Sequence, residues 1–185
     1  DLAALGLDFA SFSAHKIGGP TGVGALFVRP GMRLTSLLRG GGQEQGRRSG
    51  TENILGITGF GAAATAAFGD VAHFRDMAGW RDTFEADVAA AHPDVALFGA
   101  AATRLGNISC LAVGGKSSET LVMALDIACV AVSAGSACSS GKVTASHVLT
   151  AMGAGEKAAQ AIRVSGGWKT RKEDFERLAQ VLGGL

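Results

Sequence analysis

Apolar residues are clustered in short runs near the start of the chain and fall into periodic stripes further on. Phe9 and Phe12 form one strand-like run, and Val23, Ala25, Leu26, Phe27 and Val28 form another. KIGGPTG at 16–22 separates them, and its Gly and Pro punctuate a turn. A strand, a tight loop and a returning strand are therefore expected. LLRGGGQEQGRRSGTEN at 37–53 is too rich in glycine for a helix interior, where each Gly costs about 1 kcal/mol relative to Ala. It reads as a loop. Ser49-Gly50-Thr51-Glu52 has the spacing of a capping box, which predicts a helix starting near Gly50. That helix, ENILGITGFGAAATAAF at 52–68, carries small residues suited to close packing against another helix or another chain. A second helix, VAHFRDMAGWRDTFEADVAAAH at 71–92, ends where Pro93 breaks it.

Beyond Pro93 the elements shorten and alternate. VALFG at 95–99 and NISCLAV at 107–113 predict strands, SSETLVMALDIA at 117–128 a helix, and VAVSAG at 130–135 a strand. SHVLTAMG at 146–153 then predicts a helix, AIRVSGG at 161–167 a strand, and the chain closes with a helix from Lys172. Thr170-Arg171-Lys172-Glu173 has capping-box spacing, and Phe175, Leu178, Ala179 and Leu182 form one apolar stripe behind it. The class is α/β to α+β, with the second part an α+β module holding its own core. The step between the parts falls between residues 70 and 90, dividing the chain into 1–80 and 81–185.

Composition narrows the function. With 185 residues, 47% of them hydrophobic, the chain can bury a core and is not a disordered segment. Its 17 basic and 16 acidic residues balance, and no basic stripe interleaved with aromatics points to nucleic acid. The longest uncharged stretch, 53–69, is rich in Ala, Gly and Thr, unlike the roughly 18 to 20 strongly apolar residues of a membrane span. No membrane partner is expected. The start has no basic region followed by an apolar one, so a reducing cytoplasm is the default. The opening DLAALGLDFA has no Met and reads as part of a longer polypeptide. Cys110, Cys129 and Cys138 are odd in number and lack metal-ligand spacing, so free thiols and no metal are expected. Cys110 and Cys129, within apolar runs, read as small core residues.

Three stretches could carry chemistry. Lys16 closes what reads as a buried strand and precedes glycines. Desolvation there would leave part of its amine neutral and able to form a Schiff base, with Ser13 and His15 as donors to a phosphate. The same pattern also fits a lysine that simply points to water. RGGGQEQGRRSGT at 39–51 joins Arg47, Arg48 and hydroxyls to a helix N-terminus, which suits an anion, or equally a solvated basic loop. SAGSACSSGK at 133–142 places Cys138 among small residues with Lys142 nearby, which suits either a nucleophilic thiol or an incidental surface cysteine. Gly115-Lys116-Ser117 is not a phosphate loop, because Cys110 stands where the first glycine of that pattern belongs.

In this order and spacing, SFSAHKIGGPTGVGALFVR, RGGGQEQGRRSGTEN, SAGSACSSG and AIRVSGG closely resemble the NifS/IscS-like cysteine desulfurases. These are pyridoxal 5'-phosphate enzymes of the aspartate aminotransferase fold type. The resemblance covers essentially the whole chain. It implies the end of the large cofactor-binding domain, a mixed sheet, followed by the small C-terminal α+β domain. It implies that Lys16 bonds to the cofactor and moves protons, that Ser13 and His15 hold its phosphate, and that Thr51 reaches the phosphate of a neighbouring subunit in a homodimer. Cys138 matches the nucleophile that takes sulfur from L-cysteine as a persulfide, leaving L-alanine, and Arg163 matches the arginine that pairs with the substrate carboxylate. An iron–sulfur scaffold or another sulfur acceptor would be the protein partner. Members of the family are about twice as long, so the chain resembles their C-terminal portion. Three alternatives remain: a non-catalytic dimerisation or docking fragment, half of a split enzyme, and a selenocysteine lyase.

Overall fold

Alternating apolar residues set the first hairpin. In a computed structural model, which describes residues 2, 4–134 and 145–185, β1 (Phe9–Ser13) pairs antiparallel with β2 (Gly24–Val28). Phe9 lies opposite Val28, Ser11 opposite Leu26 and Phe12 opposite Ala25. Opposed residues share a face, so Phe9, Leu26 and Val28 line one side, and Ala10, Phe12, Ala25 and Phe27 the other. Both faces are thus apolar, and Phe9, Phe12 and Leu26 remain 42%, 44% and 52% exposed. A two-stranded sheet with such faces depends on further packing.

A one-turn helix, Ala14–Ile17, links these strands and is closed by Gly18 in the left-handed region at φ 81°. Ala14 is buried; its N–H donates to Val23 O at 3.1 Å and its carbonyl accepts from Gly19 N at 2.9 Å. Helix α1 (Ile54–Gly69) packs against this turn through its small residues. A Cβ on Gly59 would stand 3.0 Å from Pro20 Cγ, so glycine is what permits the approach.

The helix start differs from the capping box read in the sequence. Asn53 is the N-cap, its Oδ1 accepting from Gly56 N at 3.1 Å. Ser49 instead donates to Gly41 O at 2.9 Å, and Gly50, at φ 107°, cannot enter a right-handed helix. The glycine loop satisfies its own polar groups and so delays the helix.

The chain divides into two units between Asp70 and Val71. The second contains α2 (Val71–Ala91), β3 (Ala96–Leu97), β4 (Ile108–Ala112), α3 (Ser118–Ile127), β5 (Ser133–Ala134), α4 (His147–Ala151), β6 (Ile162–Ser165) and α5 (Lys172–Gly183). The strands form an antiparallel sheet in the order β3-β4-β6-β5. Phe84 and Val88 of α2, Leu121 and Leu125 of α3, and Phe175, Leu178 and Leu182 of α5 bury against Leu111, Val113, Ile162 and Val164. Leu149, Ala158 and Ala161 form a smaller cluster against which Phe98, Cys110 and Ala154 pack.

The apolar stripe of α5 is buried as its spacing predicts, but its cap is displaced by one residue. Arg171 is the N-cap and its N–H donates to Asp174 Oδ2 at 2.8 Å, while Thr170 Oγ1 accepts from Gly167 N. Strand β5 begins later than expected, at Ser133, and the preceding Val130, Ala131 and Val132 line a cavity of about 240 Å³ beside Phe175 and Leu178. Among the described residues, no single helix is long and apolar enough to cross a membrane.

Candidate active site

Ser13, His15 and Lys16 project from one turn. Ser13 is the last residue of β1, and the one-turn helix that follows carries His15 and Lys16. Close backbone approach makes this geometry possible. A Cβ on Gly19 would lie 3.0 Å from both Cβ and O of Ala14, and one on Gly24 would lie 2.5 Å from Phe12 O. The glycines here therefore bring chain segments together; they do not create looseness.

All three side chains are exposed, and none makes a side-chain hydrogen bond or ion pair among the described residues. Exposure corrects the expectation of a lysine at the end of a buried strand: β1 is itself mostly exposed, and Lys16 lies one turn beyond it. A free amine, imidazole and hydroxyl on four consecutive positions can engage an aldehyde and a phosphate together.

Thr51 is exposed in the segment leading to α1, with no side-chain hydrogen bond among the described residues. The two arginines of the glycine loop have separate fates. Arg48 donates to Glu44 Oε1 at 3.1 Å and to Gly50 O at 2.7 Å, which folds it back on the loop, whereas Arg47 is exposed. Asn53 caps α1, so neither the Ser49 nor the Thr51 hydroxyl is its N-cap.

In the second unit, Arg163 is an exposed residue of β6, with Cys110 of β4 opposite it on one side and Ser133 of β5 on the other. Strand register, which the sequence did not reveal, brings these three into one row. Cys110 is half-buried. Burial pushes its thiol up, and the Arg163 charge partly offsets that. Cys129 is exposed, contrary to its expected place in the core. It follows α3 in the left-handed region at φ 58° and lines the cavity, a consequence of the helix ending one residue earlier. Cys138 and Lys142 lie outside the described residues. Among the described residues no group of three or more His, Cys, Asp or Glu is placed to hold a metal.

Behind the sheet, Glu85 of α2 is buried and accepts from Arg104 Nη1 and Nη2 at 2.7 and 2.9 Å and from Ser109 Oγ at 2.6 Å. Burial pushes this carboxyl up, but the hydrogen bonds from Arg104 and Ser109 and the charges of Arg104 and Arg81 outweigh it and hold it below the usual range. The cluster fixes α2 against β4.

Comparison with known proteins gives a consistent answer. A family model described as aminotransferase class-V matches residues 1–178. A cysteine desulfurase of Cereibacter sphaeroides is 44% identical over 178 residues, covering 95% of this chain and 45% of the relative. A cysteine desulfurase IscS of Dictyoglomus turgidum is 40% identical, covering 96% and 46%. Among solved structures, a NifS-like protein from Rickettsia africae superposes with a TM-score of 0.83 at 32% identity, covering 98% of this chain and 48% of that one. The chain thus spans about half the length of the curated relatives it matches.

Proposed function

The chain belongs to the aminotransferase class-V family, and on that premise we propose that it carries the lysine- and thiol-bearing part of a cysteine desulfurase. The reaction converts L-cysteine to L-alanine and leaves the sulfur as a persulfide for iron–sulfur assembly or another acceptor. The observation that carries this reading is the turn Ser13–Lys16, which presents an unpaired hydroxyl, imidazole and amine side by side. The sequence similarity to proteins named cysteine desulfurase supports it.

These residues suit pyridoxal 5'-phosphate, which supplies an electron sink for cleavage next to the substrate amino group. Lys16 Nζ would hold its aldehyde carbon, and Ser13 Oγ and His15 would donate to its phosphate, joined by Thr51 across a homodimer. Lys16 Nζ also takes a proton from the substrate and returns one. Arg163 orients the substrate through its carboxylate, a task suited to a planar two-pronged donor.

Cys138 acts as nucleophile toward the substrate sulfur. Its Sγ forms the new S–S bond, the substrate Cβ–S bond breaks, and the released electron pair is protonated at carbon to give alanine. In the complete enzyme, Cys138→Ser is expected to abolish alanine formation from L-cysteine while cofactor binding persists. Undiminished alanine and sulfide from this variant would overturn the assignment. A parallel assay with L-selenocysteine separates desulfurase from selenocysteine lyase, since the lyase would favour the selenium substrate.

A docking role is favoured by a separate observation. The loop and helix of the first unit leave Leu37, Ile54 and Leu55 at 93%, 70% and 87% exposure, a surface suited to burial against another polypeptide.

A further inference from the structure

The row of Cys110, Arg163 and Ser133 bears on how a carboxylate is recognised, an inference that rests on the proposed substrate-binding role of Arg163. Register places Cys110 and Ser133 directly across from Arg163 on its two neighbouring strands. Directly opposed residues on antiparallel strands have Cβ atoms about 4.5 to 5.5 Å apart and share a face. Each position therefore lies within reach of the guanidinium. An acidic residue at either one would form a cross-strand ion pair and occupy the fork that a substrate carboxylate needs. Neither residue is acidic. Among the described residues Arg163 has no ion pair.

We propose that Cys110 is a specificity-setting neighbour of Arg163: a neutral, half-buried side chain that braces one flank of the arginine without pairing to it, leaving the guanidinium free for the carboxylate of an amino acid. Two further facts support this assignment. Cys110 packs against the small cluster of Leu149, Ala158 and Ala161, which anchors it beside Arg163. Burial also pushes its thiol up, which favours the uncharged form. Ser133 provides the other neutral flank through a hydroxyl, which can contact the guanidinium without cancelling its charge.

The test contrasts two side chains of nearly equal size in the holoenzyme. Cys110→Asp is expected to raise KM for L-cysteine about tenfold over Cys110→Asn, with kcat of the two alike, because only the aspartate competes for Arg163. Equal KM values for the two variants would overturn the proposal. Arg163→Gln tests the underlying reading separately. If it raises KM while the Asp and Asn variants remain equal, Arg163 binds carboxylate and the role given to Cys110 is wrong. If it leaves KM unaltered, the carboxylate role itself fails and the proposal with it. A measurement independent of turnover covers the case in which Cys110→Asp does not fold. At one fixed pH, iodoacetamide labelling of Cys110, resolved from the other cysteines by peptide mass spectrometry, is expected to slow in Arg163→Gln because the stabilising cation has gone. An unchanged labelling rate would show that the two side chains are not neighbours and would overturn the proposal.

Discussion

Arg104 grips both carboxylate oxygens of Glu85, Nη1 to Oε1 at 2.7 Å and Nη2 to Oε2 at 2.9 Å, although the residues stand 19 apart in sequence. Both ends are largely shielded, the side chains being 17% and 7% exposed. Removing one partner strands a buried charge, so Arg104→Ala should destabilise the second unit by about 3 kcal/mol. Chemical denaturation followed by tryptophan fluorescence, with Trp80 and Trp168 both in the second unit, checks the value.

The same pair sets a pH dependence. Because the Glu85 carboxyl is held below its ordinary value of 4.5, its contribution is fully present above that value and is lost as pH falls through the lowered folded value. Stability should therefore drop on acidification below about pH 4.5, and the drop should be smaller in Glu85→Gln. Denaturant midpoints at pH 6 and pH 3 measure the difference, and identical acid sensitivity in the variant would count against the pair.

Gly24 offers a test of the turn that presents Lys16. A methyl group there would meet the backbone oxygen of Phe12 at 2.5 Å, with Ser13 directly across the ladder. Gly24→Ala should push β1 and β2 apart and weaken pyridoxal phosphate capture. Gly22→Ala meets nothing within 4 Å and carries only the strain of φ 77°, about 1 to 2 kcal/mol. A fluorescence titration with the cofactor should rank Gly24→Ala well below Gly22→Ala.

Leu37 and Leu38 stand 93% and 57% exposed at the head of the glycine loop. If this loop meets a second subunit, replacing both with Ser should weaken the homodimer of the complete enzyme. Light scattering across a dilution series would show dissociation at higher concentration than in the parent. Superimposable curves would remove the loop from the interface.

Much of this architecture was legible in the sequence because it depends on local chemistry. Pro93 stops α2 two residues after Ala91, and the stripe Phe175, Leu178 and Leu182 buries as its spacing requires. The turn carrying His15 and Lys16 was marked by its glycines. Features that depend on distant partners were hidden. Ser49 and Glu52 have capping spacing, yet Gly41 takes the Ser49 hydroxyl and Asn53 caps the helix. Cys129 sits in an apolar run, yet the end of α3 turns it outward. The buried environment expected for Lys16 is absent because β1 is mostly exposed and Lys16 lies one turn beyond it. Nor could alternation alone reveal which residues of β4 and β5 flank Arg163, since register depends on pairing.

The central claim is that Lys16 is the amine that captures the cofactor. The most direct measurement is the visible absorption of the complete enzyme with pyridoxal phosphate, taken for the parent and for Lys16→Ala, followed by borohydride reduction and peptide mass spectrometry. The account predicts a band in the parent, a reduced cofactor adduct on the peptide containing Lys16, and neither in Lys16→Ala. An unchanged band in the variant, or an adduct on another lysine, would contradict it.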